Sequence, residues 1–224
     1  MSRLYDTSDP DEKEKGLRHA VDAVRRGELV VLPTDTVYGI GADAFSPEAV
    51  AALLAAKGRG RQSPPPVLVP DVRTLDGLAT EVTDDVRALV DRFWPGGLTV
   101  ICHAQPSLAW DLGETRGTVA LRMPDHEIAL ELLRETGPMA VSSANLTGQP
   151  AATTAADAYE QLGDSVACYL EAGRAPGGTA STIVDATRAV PRLVRLGATS
   201  LAKLRDVVPV LEDLHGHGPE PATP

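Results

Sequence analysis

Leu29-Val-Val-Leu-Pro-Thr-Asp-Thr-Val-Tyr-Gly-Ile-Gly-Ala-Asp-Ala44 is the stretch whose reading decides the fold. Leu29 to Leu32 form an apolar run long enough for a buried strand and too short for a helix. Pro33 stops the ladder, because it has no amide proton to donate. Thr34, Asp35 and Thr36 follow, three small oxygen-bearing side chains, and then Gly39 and Gly41. Polar groups at the end of a buried strand, beside glycines that admit a ligand to the backbone, suit a small-molecule site at a sheet edge. The same letters also describe a strand, a turn and a second strand, with the threonines bonded to turn amides.

Around this stretch lie 224 residues with 43% hydrophobic and 4% aromatic content, which predicts one domain with an aliphatic core. No apolar run approaches the roughly 18 residues of a membrane span, and the N-terminus is charged rather than signal-like. Cys102 and Cys168 stand apart without metal-ligand spacing, and the five histidines form no ligand grouping. A soluble, cytoplasmic protein without membrane contact or structural metal is expected. The net charge of −10 and pI near 4.9 argue against coating nucleic acid by charge alone. Binding a nucleotide needs only a few placed cations.

Those cations sit at element ends. Ser8-Asp-Pro-Asp-Glu12 starts a helix that Leu17, Val21 and Val24 continue and Gly27 closes. Ser46-Pro-Glu48 starts a second, ending in Ala56-Lys57-Gly58-Arg59-Gly60-Arg61, where three cations on a glycine-broken loop can cradle phosphates or simply cap the helix. Thr83 caps a helix over 84–92, and Phe93-Trp-Pro-Gly-Gly-Leu-Thr-Val-Ile101 reads as an aromatic corner, a turn and a strand. Thr118-Val-Ala-Leu-Arg122 alternates as a strand. An arginine at its end needs an anion, either a ligand carboxylate or a protein one. Met139-Ala-Val-Ser-Ser-Ala-Asn-Leu-Thr-Gly148 delivers Ser142, Ser143 and Asn145 to a loop able to bind phosphate or to form a side-chain turn. Late strands are expected near 166–170 and 182–184. His215 to Pro224 lacks core residues, and the tail over 211–224 is expected to be disordered, which leaves 1–210 as the folded domain.

Pro33-Thr-Asp-Thr-Val-Tyr-Gly-Ile-Gly41, Lys57-x-Arg59, Trp94-Pro-Gly-x-Leu-Thr99, Ser143-x-Asn145, Ser181-Thr-Ile183 and Arg195-x-Gly197, in this order, resemble the YrdC/Sua5 family. The resemblance covers roughly 15 to 205 and the short, single-domain type. It implies an α/β fold with a twisted, mostly parallel or mixed sheet, flanking helices and one large open cavity. It also implies synthesis of threonylcarbamoyl-AMP and pyrophosphate from L-threonine, bicarbonate or carbon dioxide, and ATP. The product serves the modification of adenosine 37 in tRNAs reading codons that begin with A. On this resemblance Lys57 and Arg59 are catalytic, and ATP lies on Lys57, Arg59, Ser63, Thr118, Ser143, Asn145, Thr153 and Arg195. Threonine meets Thr36, Arg122, Ser143 and Ser181. Mg²⁺ arrives with ATP, and the expected partners are tRNA threonylcarbamoyl-transfer proteins, with a weak contact to tRNA itself. Leu68 departs from the family, standing where its members carry a histidine.

Two rivals remain at this level. One is a non-catalytic tRNA or double-stranded RNA-binding protein, favoured by Lys57 to Arg61 and disfavoured by the net charge. The other is a carbamoyl-transferring relative like the hydrogenase maturation factors, which carry further domains.

Overall fold

A computed structural model of the chain describes residues 2–176 and 178–219. In chain order it runs β1 (Arg3–Asp6), α1 (Pro10–Arg25), β2 (Val30–Leu32), β3 (Gly39–Asp43), α2 (Pro47–Ala56), β4 (Val67–Leu68), α3 (Thr74–Leu78), β5 (Ala79–Thr80) and α4 (Asp84–Phe93). It continues with β6 (Leu98–Ala104), β7 (Thr118–Arg122), α5 (Glu127–Thr136), β8 (Met139–Ser143), α6 (Ala155–Leu162), β9 (Cys168–Glu171), β10 (Thr182–Asp185), β11 (Arg192–Arg195) and α7 (Leu201–Arg205). The helix starts follow the capping logic. Asp9 accepts from the amides of Asp11 and Glu12, Ser46 from Ala49, and Thr83 from Val86.

The strands form one mixed sheet in the order β1-β9-β2-β3-β8-β4-β7-β6-β10-β11, with β5 on the flank of β6. Antiparallel pairings outnumber parallel ones, because the stretch read first folds back on itself: β2 and β3 pair antiparallel across the Pro33–Tyr38 turn. β1 was not legible, since only Tyr5 of its four residues is buried.

Register decides where the site can be. Residues directly opposite on neighbouring strands point to the same side of a sheet. The pairs Leu32–Gly39, Gly39–Ser143, Leu68–Met139, Leu68–Arg122, Ile101–Ala120 and Thr99–Ile183 therefore trace one continuous face. α1 and α5 cover one part of it, packing Val21, Val24, Leu132 and Leu133 onto Val30, Leu32, Leu68, Met139 and Val141. Each fully buried leucine there contributes about 1.5–3 kcal/mol. No helix covers the part carrying Arg122, Ser143, Thr99 and Ile183, and that gap is the hollow described below. The opposite face is filled by two clusters, under α3, α4 and α7 and under α2 and α6.

The packed body runs past residue 210. Leu211 is fully buried, and Glu212 bridges to Arg192 while its carbonyl accepts from the Leu193 amide. Residues 220–224 of the expected disordered tail lie outside the described residues.

Candidate active site

The uncovered part of the face is a cavity of about 220 Å³, walled by Thr36, Tyr38 and Gly39 on one side and Arg122, Leu68 and Thr99 on another. Arg59, Ser142, Ser143, Ser181 and Arg195 close it. A second, more apolar lobe of about 170 Å³ adjoins it, lined by Leu112, Thr115, Thr118 and Ile101 and sharing Pro64, Pro66 and Ile183 with the first. Glycine is required at 39, where a Cβ would stand 2.5 Å from Val141 Cγ1, and at 197, where it would stand 2.2 Å from the Ala180 carbonyl. The second approach clamps the Arg195–Gly197 strand end against Ser181.

Arg122 is the most constrained group. Its Nη2 donates to Asp35 Oδ1 at 2.6 Å, Nη1 to Thr36 Oγ1 at 2.9 Å, and Nε to the Gly96 carbonyl at 2.9 Å. The protein carboxylate, one of the two anions the sequence left open, is therefore present as Asp35, and the Trp94–Thr99 corner supplies the third anchor. Burial pulls the Arg122 pKa below the ordinary guanidinium value, opposed by Asp35. The hydroxyls carry a direction. Thr34 Oγ1 donates to the Val37 carbonyl at 2.7 Å, so it accepts from Thr36 Oγ1 at 3.0 Å. Thr36 has then spent its proton and keeps one lone pair free.

On the other side Arg195 donates from Nε to the Ser181 carbonyl at 2.9 Å and from Nη2 to Ser181 Oγ at 3.0 Å, with Thr99 Oγ1 2.8 Å from the same hydroxyl. Arg59 reaches Thr147 Oγ1 at 3.2 Å and Ser142 Oγ at 3.1 Å. Among the described residues neither Arg59 nor Arg195 has a carboxylate in salt-bridge range. The Arg195 pKa falls through burial first and then through the charges of Arg122 and Arg59. Three guanidinium groups thus face one hollow, and among the described residues the one carboxylate bonded to any of them is Asp35, just outside the lining, an arrangement that attracts anions.

Not every expected residue reaches it. Lys57 is fully buried and turned away: its Nζ donates to the Asn145 carbonyl at 2.6 Å, to Asn145 Oδ1 at 3.4 Å, and to the Ser143 carbonyl. An ammonium has three donors, and all three are used. Burial, helped by Arg59, lowers its pKa to about 8, while the three oxygens favour the charged form. Asn145 spends its amide on the Leu146 and Gln149 carbonyls, at 2.8 and 2.9 Å. The pair holds the loop that presents Ser143. Thr118 lines the second lobe, its hydroxyl donating to the Thr115 carbonyl. Ser63 lines neither lobe. Thr153 bonds to Asp157 and receives Arg174, outside both. Thr36, Arg59, Arg122, Ser143, Ser181 and Arg195 do converge, and Leu68 forms part of the same wall. Thr99 was missed as a site residue, while Asp35 and Ser142 stood in stretches read as site-bearing but were given no ligand. Asp35 stood in the opening motif, and the alternation of β6 was the available signal for Thr99.

Burial pushes the thiols of Cys102 and Cys168 up to about 12. Among the described residues no three His, Cys, Asp or Glu side chains gather as a metal site, and no helix is long and apolar enough to cross a membrane.

The fold and the hollow define an α/β protein with a cation-lined hollow on an uncovered sheet face. The chain belongs to the Sua5/YciO/YrdC family, whose model, described as telomere recombination, matches residues 22–197. A Mycobacterium leprae protein provisionally named threonylcarbamoyl-AMP synthase is 53% identical over 211 residues, covering 94% of this chain and 96% of its own. The crystal structure of P. abyssi Sua5 complexed with L-threonine superimposes with a TM-score of 0.88 at 32% identity, over 99% of this chain and 66% of that one. E. coli YciO, at 23% identity and a TM-score of 0.78, covers 90% of this chain and 98% of its own and shares the fold.

Proposed function

We propose that this chain is an L-threonylcarbamoyladenylate synthase. It condenses L-threonine, bicarbonate or carbon dioxide, and ATP into threonylcarbamoyl-AMP and pyrophosphate, in the cytoplasm, where ATP and tRNA are available. Downstream transfer proteins then place the threonylcarbamoyl group on adenosine 37 of tRNA. The observation that carries this reading is the convergence of Arg59, Arg122 and Arg195 with Thr36, Ser143 and Ser181 on one hollow.

Size supports a division into two subsites. Ligand cavities usually run to about 300–1,000 Å³. The main cavity, about 220 Å³, suits an amino acid and part of a phosphate chain, so a whole nucleotide needs the adjoining lobe as well. Threonine belongs at Arg122, Thr36 and Ser181, with its carboxylate on the guanidinium. The triphosphate belongs at Arg59, Arg195 and Ser143, with the base toward Pro64, Pro66 and Thr118.

The chemistry asks for placement and charge neutralisation. Threonine's neutral amine forms an N–C bond to carbon dioxide and releases a proton to solvent. The carbamate oxygen then bonds to the α-phosphorus, the bond from that phosphorus to the β-bridging oxygen breaks, and pyrophosphate departs with the electron pair. The chain contributes cations at the developing charge and holds two anions at attack distance. Lys57 acts through the 143–145 loop. The lining is cationic and hydroxyl-bearing without a carboxylate cage, which fits Mg²⁺ carried on the phosphates, where it supplies further charge neutralisation.

Pyrophosphate release from purified protein tests the reading, with each substrate omitted in turn. It should appear only when threonine, bicarbonate and ATP are all present. Release without threonine, or none at all, would rule the assignment out.

A further inference from the structure

We infer that Asp35 is a positioning residue that sorts the two anions of this site. It makes Arg122 selective for a single carboxylate and leaves polyphosphate to Arg59 and Arg195. The inference rests on the substrate reading above and extends it to a residue that lies outside the lining of the hollow.

The argument begins with an asymmetry among three arginines. Among the described residues Arg122 alone of the three has a carboxylate partner, and the pair is well protected, with side chains 8% and 17% exposed. One oxygen of Asp35 carries two donors, Arg122 Nη2 at 2.6 Å and the backbone N–H of Asp125 at 2.9 Å. It therefore joins the turn after β2 to the turn before α5 and fixes the guanidinium between them. With Gly96 and Thr36 on the other edges, three of the five N–H groups of Arg122 are committed and two remain.

Charge and geometry now separate the ligands. At Arg122 most of the positive charge is cancelled by Asp35, so a carboxylate gains chiefly from the two uncommitted N–H donors, while the free lone pair of Thr36 accepts from the amine or hydroxyl of the same ligand. A monovalent carboxylate is satisfied by that arrangement. A triphosphate would meet the Asp35 carboxylate as a repelling neighbour, and like charges brought together in a shielded site cost several-fold to many-fold in affinity. Arg59 and Arg195 carry no such partner, and they draw the polyanion. Without Asp35 all three arginines would attract phosphate alike, and the amino acid would compete with ATP for its own seat.

Calorimetric titration of L-threonine and of inorganic triphosphate tests this without requiring turnover, with Asp35→Asn as the variant. The amide keeps an oxygen for the Asp125 N–H and removes the charge. In the wild type, threonine should bind whether or not triphosphate is saturating. In the variant, threonine affinity should fall by about tenfold or more once triphosphate is saturating, because the polyanion is no longer repelled from Arg122. Triphosphate should bind more tightly and exclude threonine. A residue that only braced the fold would lower thermal stability and the bound fraction without changing the pattern of competition. Should the asparagine variant not fold, Asp35→Ser removes the same charge and carries the same comparison. Unchanged threonine affinity, with triphosphate and threonine still binding independently, would overturn the inference. Wild-type protein that binds no threonine would instead overturn the substrate reading.

Discussion

Thr182→Val is the sharpest test of how the site is held together. Thr182 is fully buried at the start of β10, one residue from Ser181. Its hydroxyl donates to the Thr199 carbonyl at 2.6 Å and accepts from the amides of Gly197 at 3.0 Å and Thr199 at 2.9 Å. It thereby fastens the segment that follows Arg195 to the strand that carries Ser181. Valine keeps the shape and removes all three bonds. The Thr199 N–H and C=O, on a residue 8% exposed, lose this partner, and each orphaned group costs about 1–3 kcal/mol. Water can replace it at the half-buried Gly197. The sum is a destabilisation of at least about 2 kcal/mol, which for a chain of this size lowers Tm by at least ~4 °C. Thr182→Ser is the control, keeping the hydroxyl and losing one methyl, worth about 0.8 kcal/mol. Urea and thermal unfolding of the three proteins measure the difference. A valine variant as stable as the serine one would refute the reasoning.

Other expectations follow from the same geometry. Arg59→Ala should slow pyrophosphate formation about 10²–10³-fold, as loss of a charge-stabilising donor does, with unfolding by urea little changed; a normal rate would remove Arg59 from the site. Lys57 is held at about 8 against 10.5 for the ordinary lysine. The unfolded chain therefore binds the extra proton between those values, and this group's contribution to stability rises with pH through the window, by up to ~3 kcal/mol. Denaturation of wild type and Lys57→Met at pH 7 and pH 10 should show the wild type gaining relative to the variant, and a gap that shrinks would contradict the burial of the ammonium. Cys102 and Cys168 should resist a thiol reagent at pH 8 until denaturant is added, because both are buried and shifted up to about 12; rapid labelling of native protein would show that those regions open.

The sequence carried the local features well, and the long-range ones unevenly. Asp9, Ser46 and Thr83 cap as their letters imply, because capping is settled within three residues. The strand after Leu29 and its polar end were legible from apolar clustering. Arg122 was correctly read as an arginine needing an anion. That the anion is Asp35 depends on two segments far apart in the chain meeting across the sheet, and no pattern announces such a pairing. Lys57 shows a related limit: a cation at a helix end looks free for phosphate until the loop at 143–145 is seen folded over it. Thr118 and Thr153 could not be allotted to a lobe from the sequence alone, since that depends on the packing of Pro64 to Pro66 and on the turn at Asp157. The tail boundary failed on one residue, because a single leucine at 211 has no periodicity to show that it is buried.

Leu68 and Val141 belong both to the apolar packing under α1 and α5 and to the wall of the hollow. Ligand preference and folding strength are therefore coupled through shared atoms: resizing the pocket at either position also repacks the helices behind it. Variants selected for a different amino acid should need compensating changes on α5, around Ile128 and Leu132, which line no part of the hollow.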